Sequence, residues 1–127
     1  MKQALPLSLL ALLALTVGCF NYSQANMPYP AQRVFHAAVE EAMPMRPTRV
    51  DDDNMHIVGS MSDQAGNQVE FEFSVTPGYM PNTSSLNVRM EQVKPQEKRL
   101  PQWEQDIIER IKARADSGSS EHSYPKR

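Results

Sequence analysis

Nine consecutive residues leave little freedom to the chain that contains them. From Gln68 to Thr76, the apolar side chains Val69, Phe71, Phe73 and Val75 alternate with Gln68, Glu70, Glu72, Ser74 and Thr76. Successive side chains of a strand point to opposite faces, so this stretch predicts a strand with one buried and one solvated face. A slip of one residue would bury Glu70 and Glu72, which fixes the register. Pro77-Gly78 ends the run. A second alternation sets Leu86, Val88 and Met90 against Asn87, Arg89 and Glu91. The two strands are expected to form a hairpin with Glu70 or Glu72 facing Arg89 on the wet side. Such an exposed pair contributes about 0.2–1 kcal/mol.

A second hairpin is expected upstream. Met45 to Val50 reads as a short strand, kept to an edge by Pro47, and Met55 to Met61 as its partner. Between them, Asp51-Asp52-Asp53-Asn54 is a turn cluster. A calcium loop would space its ligands at alternate positions and close with a glutamate, and that spacing is absent. Asp63-Gln64-Ala65-Gly66-Asn67 forms the next turn, with Gly66 suited to positive φ.

Helices flank the strands. Between Ala31 and Met43, the residues Val34, Phe35, Ala38, Val39, Ala42 and Met43 recur as i, i+1, i+4, i+5, i+8 and i+9, one apolar helical face. Pro30 suits the first turn and Pro44 stops the run. His36 and Glu40, an i, i+4 pair, read as a solvated surface pair. Lys94 to Arg99 is a basic connection, after which Pro101 opens a second helix. Leu100, Trp103, Ile107, Ile111 and Ala115 share a face, with Ile108 beside it, and Trp103 is expected to pack on the sheet. Glu104, Asp106 and Glu109 come early and Arg110, Lys112 and Arg114 late, an order that suits the helix dipole. The expected domain therefore spans residues 30–115. Its class is α+β: an N-terminal helix, a four-stranded antiparallel sheet of two hairpins, and a C-terminal helix in a two-layer sandwich. Residues 116–127 are polar and aperiodic and read as a disordered tail.

The N-terminus carries a different signal. Met1-Lys2-Gln3 is a short basic start, and Leu5 to Val17 is almost wholly apolar. That run is well short of the roughly 20 residues a spanning helix needs, so it reads as an export signal. Leu15-Thr16-Val17-Gly18-Cys19 then resembles the lipobox of bacterial lipoproteins, with Thr16 where that family usually has leucine. The resemblance covers residues 1–19. It implies cleavage before Cys19 and acylation of both its thiol and its new amino group. The competing cleavage follows Ser23-Gln24-Ala25 and would release a soluble periplasmic or secreted protein. Cys19 is the chain's one cysteine, and a lone cysteine in an exported protein has no internal disulfide partner. Phe20 stands where an aspartate would favour inner-membrane retention, which points to the outer membrane, facing the periplasm. Residues 19–29 read as a polar tether that lifts the domain off the lipid.

Removal of residues 1–18 leaves 109 of the 127 residues, enough for one small domain. The mature part has 12 basic residues (the chain's 13 less Lys2) and 15 acidic ones, a net charge of −3. That argues against nucleic acid as a partner, which asks for a basic face. After the signal only Leu86 and Leu100 remain as leucines, so the core is built from Val, Ile, Phe and Met.

No catalytic constellation is expected. His36, His56 and His122 are far apart and have no metal-ligand spacing. No serine sits in a nucleophile-elbow pattern, and the scattered glycines form no phosphate loop. The chain therefore reads as a non-enzyme without a cofactor. Seven of the eight methionines lie beyond Met1, including Met43-Pro44-Met45 and Met55-His56. Thioethers suit Cu(I), whereas methionine also simply fills gaps in a small core. In the long loop Gly78-Tyr79-Met80-Pro81-Asn82-Thr83, Tyr79 and Met80 either fold back over the sheet edge or serve as contacts for a partner.

The order of elements resembles the helix-grip domains of small envelope lipoproteins, such as those of the BamC accessory lipoprotein of outer-membrane assembly. The likeness covers residues 30–115 and implies a non-catalytic binding or scaffolding role. Two functions are thus expected in turn: a lipid-anchored interaction domain with an envelope-protein partner, or a periplasmic binder of a small ligand or Cu(I).

Overall fold

The computed structural model describes residues 22–118. The signal segment, Cys19 and residues 119–127 lie outside the described residues. Strand β1 (Ser23–Met27) is followed by helix α1 (Ala31–Ala42), a 3₁₀ turn (Met43–Met45), β2 (Arg49–Asp51), β3 (His56–Ser62), β4 (Gln68–Pro77), β5 (Ser84–Lys94), β6 (Lys98–Arg99) and helix α2 (Pro101–Ser117). The fold is α+β, and the sheet is antiparallel in the order β1-β5-β4-β3-β2, with β6 also paired to β5.

The two long strands and both helices form where periodicity placed them. On β4, Val69, Phe71, Phe73 and Val75 are buried, and on β5 Leu86, Val88 and Met90 are buried. Glu72 lies directly opposite Arg89, and Glu72 Oε1 stands 3.7 Å from Arg89 Nε. Beneath this face the inward side chains form one core with Val34, Phe35, Ala38 and Val39 of α1 and Ile107, Ile108, Ile111 and Ala115 of α2. Both helices contact β5 and each other. Arg114 joins them: its Nε and Nη2 lie 2.9 and 2.8 Å from Glu41 Oε2, and its Nη1 lies 3.1 Å from Glu40 Oε1. Hydrogen bonding to Glu41, above all, raises the pKa of this guanidinium further. Gly118, in the left-handed region at φ 73°, closes α2.

The turns follow their chemistry. Asp51 Oδ1 accepts the backbone N–H groups of Asp53 and Asn54, and Asp63 Oδ1 accepts those of Ala65 and Asn67. These bonds favour the ionised carboxylates. Led by the side-chain bonds from Asn54 and Asn67, they hold both pKa values below the usual carboxylate range. Gly66 takes φ 93°.

Three expectations need correction. Among the described residues the sheet has six strands rather than four. Ser23–Met27, read as part of a tether, pairs with β5 in the register Ser23↔Val88 to Met27↔Ser84. Its inward residues are Ser23, Ala25 and Met27, too small and too polar at one end to register as alternation. The added β6 is a two-residue bridge inside the basic connection, opposite Glu91 and Gln92. Second, Met45–Val50 yields only Arg49–Asp51 as strand, because Met43–Met45 completes a 3₁₀ turn and Arg46 turns left-handed at φ 56°. This strand does lie at the sheet edge, where Pro47 was expected to keep it. Third, Asp116 and Ser117, assigned to the tail, belong to α2.

Candidate interaction surface

Two side chains singled out in the sequence, Tyr79 and Met80, sit together on the loop joining β4 to β5. Tyr79 is fully exposed and Met80 is 67% exposed. The loop has its own fastening. Gly78 N–H donates to Thr83 O at 2.9 Å, Thr83 Oγ1 donates to Met80 O at 2.6 Å, and Asn82 takes the left-handed turn at φ 61°. Beside it lies an open cleft of about 640 Å³ that reaches Asn26, Met27, Pro28 and Ser85. Its floor is pinned by Ser84 Oγ donating to Tyr29 O at 2.9 Å and Ser85 Oγ donating to Asn26 Oδ1 at 3.1 Å. The loop therefore presents an aromatic ring and a thioether on a hydrogen-bonded base, a composition found in interface cores. Cys19 lies outside the described residues.

The open sheet face, opposite the helices, is polar. His56 Nε2 and Glu72 Oε2 are 2.5 Å apart, and Arg89 Nη1 donates to Glu91 Oε1 at 2.7 Å. A cavity of about 440 Å³ lies over Tyr22, Glu72, Ser74, Asn87 and Arg89. Ser74 faces His56 across the strands, yet His56 bonds to Glu72 and not to Ser74. Ser74 Oγ instead accepts from Asn87 Nδ2 at 3.4 Å. Asn87 Oδ1 is buried without a hydrogen-bond partner among the described residues.

The methionines do not pair as their sequence neighbours suggest. Met43 is 56% exposed while Met45 packs against the core. Met55 also packs on the core, whereas its neighbour His56 is engaged by Glu72 on the open face. The structure instead brings Met45, Met61 and Met90 to one groove of about 440 Å³ beside Trp103 and Ile107. Among the described residues no group of three or more His, Cys, Asp or Glu side chains is placed to hold a metal ion.

Glu104 is the residue that sequence reasoning missed. It was read only as an early charge that suits the helix dipole, and it is 0% exposed. Its carboxylate accepts from Ser23 Oγ at 2.6 Å, from the Met90 N–H at 2.9 Å and from Arg99 Nε at 3.3 Å, with Arg99 Nη2 closing the fork. One side chain thus ties α2 to β1, β5 and β6. The signal was available: Glu104, Ile107, Ile108, Ile111 and Ala115 recur as i, i+3, i+4, i+7 and i+11, the spacing of a buried stripe. Placing Trp103 on the stripe beside Leu100 hid it, and Trp103 is in fact 49% exposed. No helix among the described residues is long and apolar enough to cross a membrane. No protein-family model matches the chain, and comparison with curated proteins finds no match either.

Proposed function

We propose that the protein is a lipid-anchored periplasmic protein that acts as a non-catalytic interaction domain in the cell envelope, attached at Cys19 to the outer membrane. Its helices form one layer and its sheet the other. The observation that carries the reading is the pairing of a lipobox-type N-terminus with a fastened loop displaying Tyr79 and Met80 to solvent. A protein partner in the envelope would close over that loop and the cleft beside it. The test has two parts. The intact mass of protein from the membrane fraction is expected to start at Cys19 with acyl chains added, and the Cys19→Ser chain to lack them. Tyr79→Ser combined with Met80→Ser is expected to abolish co-purification of the partner and to change stability by less than about 0.5 kcal/mol, as surface substitutions do. A lipid-free mass starting at Asn26 would remove the anchor from the account.

A second reading, a periplasmic binder of a small ligand or Cu(I), is favoured by the convergence of Met45, Met61 and Met90 on one groove. Thioethers are soft donors suited to Cu(I). Cu(I) is then expected to raise the melting temperature of the native chain and to leave that of Met61→Leu unchanged. An equal rise in both chains would place the metal elsewhere.

A further inference from the structure

We infer that the end of the domain carrying Trp103 and Met43 rests on the surface of the bilayer, and that the Tyr79 loop points away from it. The inference builds on anchoring at Cys19 and adds an orientation to it. The chain leaves the described residues next to this end. Ser23, four residues from Cys19, bonds through its hydroxyl to Glu104, the residue after Trp103. Four residues span at most about 14 Å whatever their conformation. An acyl group on Cys19 therefore keeps its attachment point within that distance of Ser23, which is itself bonded to the first turn of α2.

The side chains found there suit a lipid surface. Trp103 and Met43 are two of the four large apolar residues that stand exposed among the described residues. Both are at this end: Met43 shares its 3₁₀ turn with Met45, and Met45 and Trp103 line the same groove. Tryptophan favours the interface between headgroups and acyl chains, where its ring is half apolar and its N–H stays wet. Arg46, after the 3₁₀ turn, Lys94, at the end of β5, and Lys98, at the start of β6, are exposed nearby. Asp106 lies 3.0 Å from Arg110, while Asp63, hydrogen-bonded within its own turn, and exposed Glu97 keep their negative charges. The charges at this end largely offset one another, so the contact rests on the apolar side chains of Trp103 and Met43.

The other two exposed residues, Tyr79 and Met80, lie at the opposite end. Their loop precedes Ser84, which pairs with Met27 at the far end of β1. From Ser84 to Met90, where the Trp103 groove begins, β5 rises by about 20 Å. The four exposed apolar residues thus divide into two pairs, one facing the lipid and one facing the periplasm.

Trp103 is the chain's single tryptophan and Cys19 its single cysteine, so both can be addressed alone. The whole chain would be coupled through the Cys19 thiol to a maleimide lipid in vesicles of phosphatidylethanolamine and phosphatidylglycerol. A fraction of the lipid would carry bromine near the top of the acyl chains. Trp103 emission is expected to fall at least twofold and shift to the blue. A Trp103→Phe, Tyr79→Trp chain tethered in the same way is expected to show neither change. Unquenched Trp103 on tethered protein, or equal quenching at residue 79, would overturn the orientation. Because the coupling supplies the tether chemically, this result is independent of whether the cell acylates Cys19, which the intact mass decides.

Discussion

Replacing Glu104 with alanine is expected to lower the stability of the domain by about 3–5 kcal/mol, the range for breaking a buried ion pair from one side. The carboxylate is completely enclosed and receives donors from three strands. Its loss leaves the Met90 N–H without an acceptor and the Arg99 guanidinium without its counter-charge. Arg99 is one-third exposed and can turn to water, so the lower half of the range is expected. Glu104→Gln keeps one acceptor oxygen, enough for the Met90 N–H, but sets its amide NH₂ where the other oxygen took Ser23 Oγ and Arg99, so it gives up the charge and part of the network and should cost about half as much. Urea unfolding with an unchanged slope measures both directly. A loss below about 1 kcal/mol for the alanine variant would mean that the network follows the fold instead of holding it.

Gly59→Val is expected to cost about 1–3 kcal/mol through overpacking. Strand propensity alone predicts the opposite sign, since valine is favoured in strands and glycine is not. Space decides between the two effects. Gly59 faces Phe71 across the β3–β4 pair. A Cβ at residue 59 would lie 2.3 Å from Phe71 Cζ and 2.9 Å from the Pro47 backbone. The ring has little room to withdraw, because Phe71 is buried and packs at a tilt against Phe73 with centroids 5.4 Å apart. Phe71→Leu in the Gly59→Val background should recover part of the loss if this contact is the cause. A double-mutant cycle measures that coupling, and strictly additive losses would point to backbone strain at Pro47.

The contrast between Phe71 and Glu104 shows what the linear pattern can and cannot convey. Phe71 belongs to a run of four alternating apolar residues, and such a run has only one register that buries them all. Strands β4 and β5 and helix α1 were legible for that reason, as were the Asp51 and Asp63 turns, whose carboxylates bond within a few residues. Strand β1 was not, because Ser23 and Ala25 gain their inward places from β5, more than 60 residues away. Glu104 was hidden by its chemistry: a carboxylate is assigned to solvent until its donors are known, and those come from β1, β5 and β6. Trp103 erred in the other direction, for a large apolar residue is assigned to the core by default. Of the candidate site, the Tyr79 loop was visible as an anomaly of composition. The meeting of Met45, Met61 and Met90 was not, since three separate elements create it.

The placement of β1 beside β5 also bears on the order of assembly. Strands β2 to β5 form a meander whose pairings are all between sequence neighbours, and such local contacts form early. The first strand must wait for nearly the last one, because closing so long a loop carries an entropic cost before any contact repays it. β1 is therefore the natural last piece, and the Ser23–Glu104 bond closes only then. If Cys19 carries the anchor proposed above, a chain delivered N-terminus first has its attachment point in place before the strand proposed to fix its orientation has docked. Until β1 pairs, the free leader runs on to Ala31, and the domain can turn and reach further than it does once folded. Folding would thus shorten the leash, and the same hydrogen bonds that complete the sheet would draw the protein down to its working position.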